Sequence, residues 1–237
     1  MTTRSSLSRI AVLAAGGTPL LCVDTCGLLD LQRGLLRDDV SAASRRQGLQ
    51  LVTDIGAGRV ISIITDQVAT EFAKNRALVV ADAAKALAGL ADQLAKAELV
   101  AEVFGVTPIQ PDLSHLDAHA GQAEAIVDRW LEVSHQIDER PELLRRAAIR
   151  INLARTPAKQ GKQNFKDCLI TETFLDLITD MRNSGISSKA VFLSSNTDDY
   201  AEGKGSSRMK IDLLQEFDAI QLDYAVNAGQ ARHTLGV

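Results

Sequence analysis

The chain has 237 residues, 46% of them apolar and 24% charged, which is enough to bury a substantial core and unlike the composition of a disordered segment. A net charge of −4 argues against a protein that coats nucleic acid through a general basic excess, but leaves room for a nuclease that gathers its acids locally. The cysteines, Cys22, Cys26 and Cys168, are an odd number in a chain that needs no covalent staples, so reduced thiols in a cytoplasmic protein are expected.

Residues 1–17 read as a flexible lead-in. Their apolar run breaks at Gly16-Gly17-Thr18-Pro19, which is too early for a signal peptide. No stretch of about 18 uncharged apolar residues follows, so no membrane span is expected. Leu20-Leu21-Cys22-Val23 suits a strand buried on both faces. Asp24 then stands at its carboxyl end, and Thr25 can begin a helix carrying Leu28, Leu29, Leu31, Leu35 and Leu36. A second helix is predicted over 39–55, stopped by Gly56-Ala57-Gly58, and the β-branched run 60–64 is a second strand. Thr65 or Asp66 caps the next helix, which carries Val68, Glu71 and Phe72.

From 77 to about 103 the chain is rich in Ala, Leu, Lys, Asp and Glu and reads as one long helix. Thr107-Pro108 and Pro111 interrupt it, and a second helical arm is expected with Ile126, Trp130, Val133 and Ile137 on its apolar face. Pro141 opens a helix to about 153. A basic loop follows, then an amphipathic helix from Asp167 closed by Asn183-Ser184-Gly185. A third buried strand at 190–193 runs into Ser194-Ser195-Asn196-Thr197-Asp198-Asp199-Tyr200. A flexible loop at 203–207, a helix at 211–217 and a short strand at 219–222 complete the chain.

Alternating strands and helices predict an α/β fold with a parallel sheet, whose ligands bind outside the carboxyl ends of the strands. Asp24 ends the first strand, Asn196, Asp198 and Asp199 follow the third, and Glu71 and Asp167 sit on helices that adjoin strands. Carboxylates crowded together repel and raise one another's pKa, so such a cluster implies a cation. Mg²⁺ and Mn²⁺ take oxygen ligands and promote attack of water on phosphodiesters, so His and Cys are unnecessary.

These residues resemble the PIN domain nucleases. The family pattern has an Asp at the end of the first strand, here Leu21-Cys22-Val23-Asp24. It has a Glu on an early helix, here Val68-Ala69-Thr70-Glu71-Phe72, and an Asp at the start of a later one, here Phe165-Lys166-Asp167-Cys168. It ends on an Asn or Asp followed by Asp-Phe after the next strand, here Asn196-Thr197-Asp198-Asp199-Tyr200, with Tyr replacing the usual Phe. The resemblance covers about 18–76 and 160–225.

It implies one PIN-like domain over 1–237, a three-layer α/β/α fold with a central, mostly parallel sheet and a helical insertion at about 77–153. It also implies a metal-dependent endoribonuclease in which Asp24, Glu71, Asp167 and Asp199 are catalytic, and these with Asn196 and Asp198 hold Mg²⁺ or Mn²⁺. The substrate would be RNA, and the protein a toxin or defence effector; an inhibitory protein partner and a homo-oligomer stay open. The alternatives are a structure-specific DNA nuclease and a catalytically silent PIN-like interaction scaffold.

Lys159, Lys162, Lys166, Lys204 and Arg208 flank the acids in sequence and are candidate RNA contacts, as are Arg129, Arg140, Arg145 and Arg146 on the insertion. Ser194, Ser195 and Thr197 are candidates for positioning a water or the scissile phosphate. Each residue also has a plainer reading: Asp24 as a helix cap, Glu71 as a solvated helix residue, Asp167 at the positive end of its helix, and Asp198 as a turn residue. His115 and His119 are four apart but lack a third zinc ligand.

Overall fold

Alternate side chains of a strand point to opposite faces, so a strand with every residue buried must be covered on both. The computed structural model, which describes residues 3–4, 7–34, 36, 41–109, 112–116, 118–159 and 164–237, contains three such strands. The chain runs through β1 (Thr3–Arg4), α1 (Leu7–Ala15), β2 (Leu20–Val23), α2 (Thr25–Gln32), α3 (Ala42–Gly56), β3 (Ile61–Thr65) and α4 (Asp66–Val103). It continues with α5 (His119–Val133), β4 (His135–Ile137), α6 (Pro141–Asn152), α7 (Phe165–Asn183), β5 (Ala190–Leu193), α8 (Thr197–Tyr200), α9 (Ile211–Ala219), β6 (Leu222–Ala225) and α10 (Ala228–Leu235). Strands β2, β3 and β5 are buried throughout. The sheet has the order β1-β4-β3-β2-β5-β6, with every neighbouring pair parallel, and helices flank it as the three-layer α/β/α reading requires.

Several sequence expectations shift. Helix α1 stands within the segment read as a flexible lead-in, and its Ile10 and Ala14 are buried. Helix α2 ends at Gln32, so Leu36 lies beyond it and is exposed, while Leu35, Asp39 and Val40 lie outside the described residues. The last strand begins at Leu222, because α9 continues to Ala219 and Gln221 takes a left-handed turn (φ 53°).

The largest change falls in the segment read as a helical insertion. Ile137 belongs to β4, which pairs with β3 through Ile63↔His135 and Thr65↔Ile137. Helix α5 likewise packs on the main core instead of forming a separate hairpin core, since Val127 and Trp130 are buried within the central cluster. Trp130 is 1% exposed and closes a ring of hydrogen bonds. Its Nε1 donates to Ser62 Oγ (3.0 Å), Ser62 and Ser134 share a bond of 2.8 Å, and Ser134 Oγ donates to the Trp130 carbonyl (2.8 Å). Because Ser134 spends its proton on that carbonyl, Ser62 must donate to Ser134 and so accept from the indole.

Helix α4 begins under a Thr65 cap, whose hydroxyl accepts from the Val68 amide. It runs 38 residues, or about 57 Å at 1.5 Å per residue. Only Val68 and Phe72 of it are buried. Arg76 then fastens it to α5 through Asp128 (2.6 and 2.8 Å) and Glu124 (3.0 Å). Beyond that its distal turns and the residues following them expose Leu99, Val100, Val103 and Phe104.

Helices α6 and α7 are joined by a small second core of Leu143, Ala147, Ala158, Cys168 and Leu169. Beside it Arg150, 2% exposed, donates to Glu172 (2.6 Å), Glu216 (2.5 Å) and the Thr156 carbonyl (2.6 Å). This network links α6, α7, α9 and the loop after α6.

The Trp130 ring makes a test of how β3 is tied to α5. Ser62→Ala should cost about 1–3 kcal/mol, the penalty for a buried N–H left without an acceptor, read as a lowered urea midpoint with an unchanged slope. A loss under about 0.5 kcal/mol would show that the indole finds another partner.

Candidate active site

β2 lies between β3 and β5, so the chain leaves its carboxyl end toward one side and later returns on the other. That is the switch point at which open α/β sheets form a crevice. Asp24 stands at it. Its backbone N–H continues the sheet by donating to the Leu193 carbonyl at 3.0 Å. Its carboxylate, 2% exposed, accepts from the Thr25 amide (2.7 Å) and from Ser194 Oγ (2.6 Å). Asp24 is thus both the cap of α2 and a buried acid aimed across to the end of β5.

Glu71 comes from the second turn of α4, just after β3. Its carboxylate accepts from Thr25 Oγ1 (2.9 Å) and pairs with Lys166 Nζ (3.3 Å). Asp167 lies in the first turn of α7, where the helix dipole favours negative charge. Its carbonyl accepts a long bond (3.4 Å) from Tyr200 Oη, and the Tyr200 ring is buried edge-on against Phe192. Asp199, on the short helix after β5, accepts from Asn196 Nδ2 (2.9 Å) and pairs with Lys159 Nζ (2.8 Å).

The acids feel one another. Burial pushes the Asp24 carboxyl up to about 6, against the hydrogen bonds from Ser194 and Thr25, and the Glu71 charge adds to the rise. Burial pushes Asp167 up to about 7, with the charges of Asp24, Asp199 and Glu71 all acting the same way and Lys166 opposing. The four acids therefore share one low-dielectric region. Burial also raises the thiols of Cys22, Cys26 and Cys168, which are all free and inert as nucleophiles.

As arranged, no three His, Cys, Asp or Glu side chains among the described residues stand close enough together to hold a metal ion. Three of the four carboxylates are instead turned onto internal donors: Asp24 onto Ser194 and Thr25, Glu71 onto Thr25 and Lys166, Asp199 onto Asn196 and Lys159. The donor set still fits a hard divalent cation, because it consists of carboxylate oxygens that destabilise one another when ionised.

The remaining candidates separate. Asp198 is exposed; its carbonyl, not its carboxylate, receives Lys159. It lines a cleft of about 520 Å³ together with Arg33, Ser44, Ser195, Lys204 and Asn227. Ser194 serves Asp24, Thr197 Oγ1 accepts from the Gly205 amide (2.9 Å), and Ser195 Oγ is buried without a partner. Lys159 and Lys166 reach the acids, whereas Arg208 lies against Glu202 (3.5 Å); Lys162 lies outside the described residues. The arginines of the insertion named as candidate RNA contacts lie beside acids: Arg129 by Glu132, Arg140 by Asp176, Arg145 by Glu142, and Arg146 by Glu172 and Asp176.

Two contributors escaped the sequence reading. Thr25 was visible only as a helix start, yet it bridges to Glu71. Lys210 donates to the Asp199 carbonyl at 2.7 Å, and nothing in its own neighbourhood announces this.

A family model described as PIN domain matches residues 21–200 of the chain. No curated protein and no solved structure matches it.

The shift on Asp167 has a consequence for stability. A carboxyl raised from 3.8 to about 7 favours folding fully below pH 3.8, and that contribution is lost as pH climbs toward 7. Metal-free Asp167→Asn protein, which keeps a neutral group at every pH, should match the wild type near pH 4 and exceed it by about 1–3 kcal/mol at pH 8. Equal denaturation midpoints at both pH values would show that Asp167 is not held in a repulsive cluster.

Proposed function

Because the chain belongs to the PIN domain family, a family of generally divalent-metal-dependent nucleases, we propose that it is a Mg²⁺- or Mn²⁺-dependent endoribonuclease. The observation that carries this reading is the gathering of Asp24, Glu71, Asp167 and Asp199 at the switch point of the sheet, where Thr25 beside Asp24 reaches Glu71, Lys166 beside Asp167 reaches the same Glu71, and Tyr200 beside Asp199 reaches the Asp167 carbonyl. In this reading Asp24, Glu71, Asp167 and Asp199, with Asn196 beside them, form the acidic set that positions one or two metal ions.

A divalent ion there supplies an acidified water and relief of charge at the scissile phosphate. The protein's own groups do the rest. Ser194 and the Thr25 amide orient the Asp24 carboxylate, and Thr25 Oγ1 orients Glu71. Asn196 turns Asp199. Lys159 and Lys166 bring positive charge to the rim, so an incoming phosphodiester meets cations despite the net charge of −4.

A strand of RNA would continue into the neighbouring cleft, where Lys204 can follow its backbone. The hydroxyls of Ser41, Ser44 and Thr197, residues that line that cleft, are suited to a 2′-OH, which donates and accepts. This supports RNA over DNA. The free cysteines fit a cytoplasmic enzyme, and a toxin or defence effector restrained by a protein partner is the role this chemistry would suit.

Purified protein should cleave single-stranded RNA with Mg²⁺ or Mn²⁺ and stop in EDTA. Asp24→Asn and Asp167→Asn, each with a native circular dichroism spectrum, should lower the rate by about 100-fold or more. Undiminished cleavage in chelator, or by Asp167→Asn, would overturn the metal assignment. Cleavage of DNA of the same sequence in place of RNA would transfer the site to the DNA-nuclease alternative.

A further inference from the structure

The acids are not the only groups at this site held by a purpose-built scaffold. Lys159 Nζ lies 2.8 Å from Asp199 Oδ1 and also donates to the Asp198 carbonyl. The three residues that precede it are anchored one by one. Thr156 gives both its amide and its hydroxyl to the Asp212 carboxylate, at 2.7 Å each, and its carbonyl accepts from the buried Arg150 at 2.6 Å. The Pro157 carbonyl accepts from the buried Asn164 amide at 3.2 Å, and Ala158 is packed into the second core with Leu143, Ala147, Cys168 and Leu169.

The other lysines near the acids lack this treatment. Lys166 leaves more than half of its side chain in solvent (53%) and reaches Glu71 at only 3.3 Å. Lys210 is directed at the Asp199 carbonyl, not its carboxylate. A lysine that merely tracked phosphates from the surface would need no buried base, because a flexible stem in water does that work. The side chain of Lys159 is 30% exposed and that of Asp199 14%, so their pairing is screened less by solvent than a surface ion pair.

We propose that Lys159 is the second cation of the acidic site: a single divalent ion is held on the side of Asp24, Glu71 and Asp167, and the Lys159 ammonium occupies the place at Asp199 that a second ion would take. This rests on the metal-dependent reading above and specifies its stoichiometry. Asp199 brings one negative charge, and Lys159 meets it with one positive charge at contact distance. A second divalent ion on Asp199 would have to displace that ammonium and then lie beside both it and Lys210, against like-charge repulsion. The three acids on the other side have only Lys166 among the lysines described here, and it reaches Glu71 alone, which leaves the Asp24 and Asp167 carboxylates without an ion pair among the described residues. Lys159 is thus a positioning residue for the metal set.

Mn²⁺ binding to the intact protein at pH 7.5, followed by titration calorimetry and by the loss of the free-ion electron paramagnetic resonance signal, tests this without any catalytic readout. Wild type should bind one Mn²⁺ per chain. Lys159→Gln should bind two, Lys159→Gln combined with Asp199→Asn should return to one, and Lys159→Arg, which keeps the charge, should stay at one. Two ions in the wild type, or a Lys159→Gln isotherm superimposable on the wild-type one, overturns the role of Lys159 while leaving the nuclease reading standing. A folded wild type that binds none overturns the metal reading and this inference with it. If Lys159→Gln does not fold, the wild type and Lys159→Arg decide: two ions in either reject the proposal.

Discussion

Like charges forced together at the carboxyl ends of parallel strands are the constraint around which the rest of this molecule is arranged. The sheet topology brings Asp24, Asp199 and the start of α7 to one crevice, and the entry of α4 adds Glu71. None of the four is free to move away, because each is set by a buried strand or a helix start. The folded state therefore carries a cost, from burial first and from repulsion after it, that shows as raised carboxyl groups on Asp24 and Asp167. Local donors soften it: Ser194 and Thr25 for Asp24, Thr25 and Lys166 for Glu71, Asn196 and Lys159 for Asp199. Such stored strain is typical of sites whose geometry serves a ligand more than it serves stability.

A second charged construction works in the opposite sense. Arg150, Glu172 and Glu216 satisfy one another away from water, and Arg146 and Arg155 extend the set. Buried ion pairs seldom add much net stability, yet losing one partner is costly because the other charge remains buried. Here the network joins α6, α7, α9 and the loop after α6, beside the small second core. Its product is position: the loop leading to Lys159 is tied at Thr156 to Arg150 and Asp212, although it has no regular structure.

Much of the architecture was legible because the relevant signals are local. Short apolar runs mark β2, β3 and β5, and the acid or amide after each run marks where the crevice lies. The caps at Thr65 and Pro141 and the Gly58 turn could be read in the same way. What escaped depends on partners distant in sequence. His135-Gln136-Ile137 is a strand only because β3 lies beside it; with one buried residue in three, its pattern alone has no period. Arg150 is buried because Glu172 and Glu216, 22 and 66 positions later, come to meet it. Helix α10 had both signals, an Asn227 cap and Gly236 in the left-handed conformation, but only eight residues between them. The adjacency of Lys159 to Asp199, forty positions later, is likewise invisible before folding.

The extent of α4 beyond Arg76 sets up two regimes of motion in one helix. Its first turns share the core and the Arg76 clasp, so their amides open only when the domain does. The distal turns expose their backbone on most sides and have few buried neighbours, and such turns fray and exchange hydrogen with solvent through local opening. Glu71 lies in the protected part, three residues beyond Val68 and one before Phe72. The acid therefore belongs to the part of α4 that the core and the Arg76 ion pairs hold, and the exposed far end of the same helix lies more than about six turns away along it.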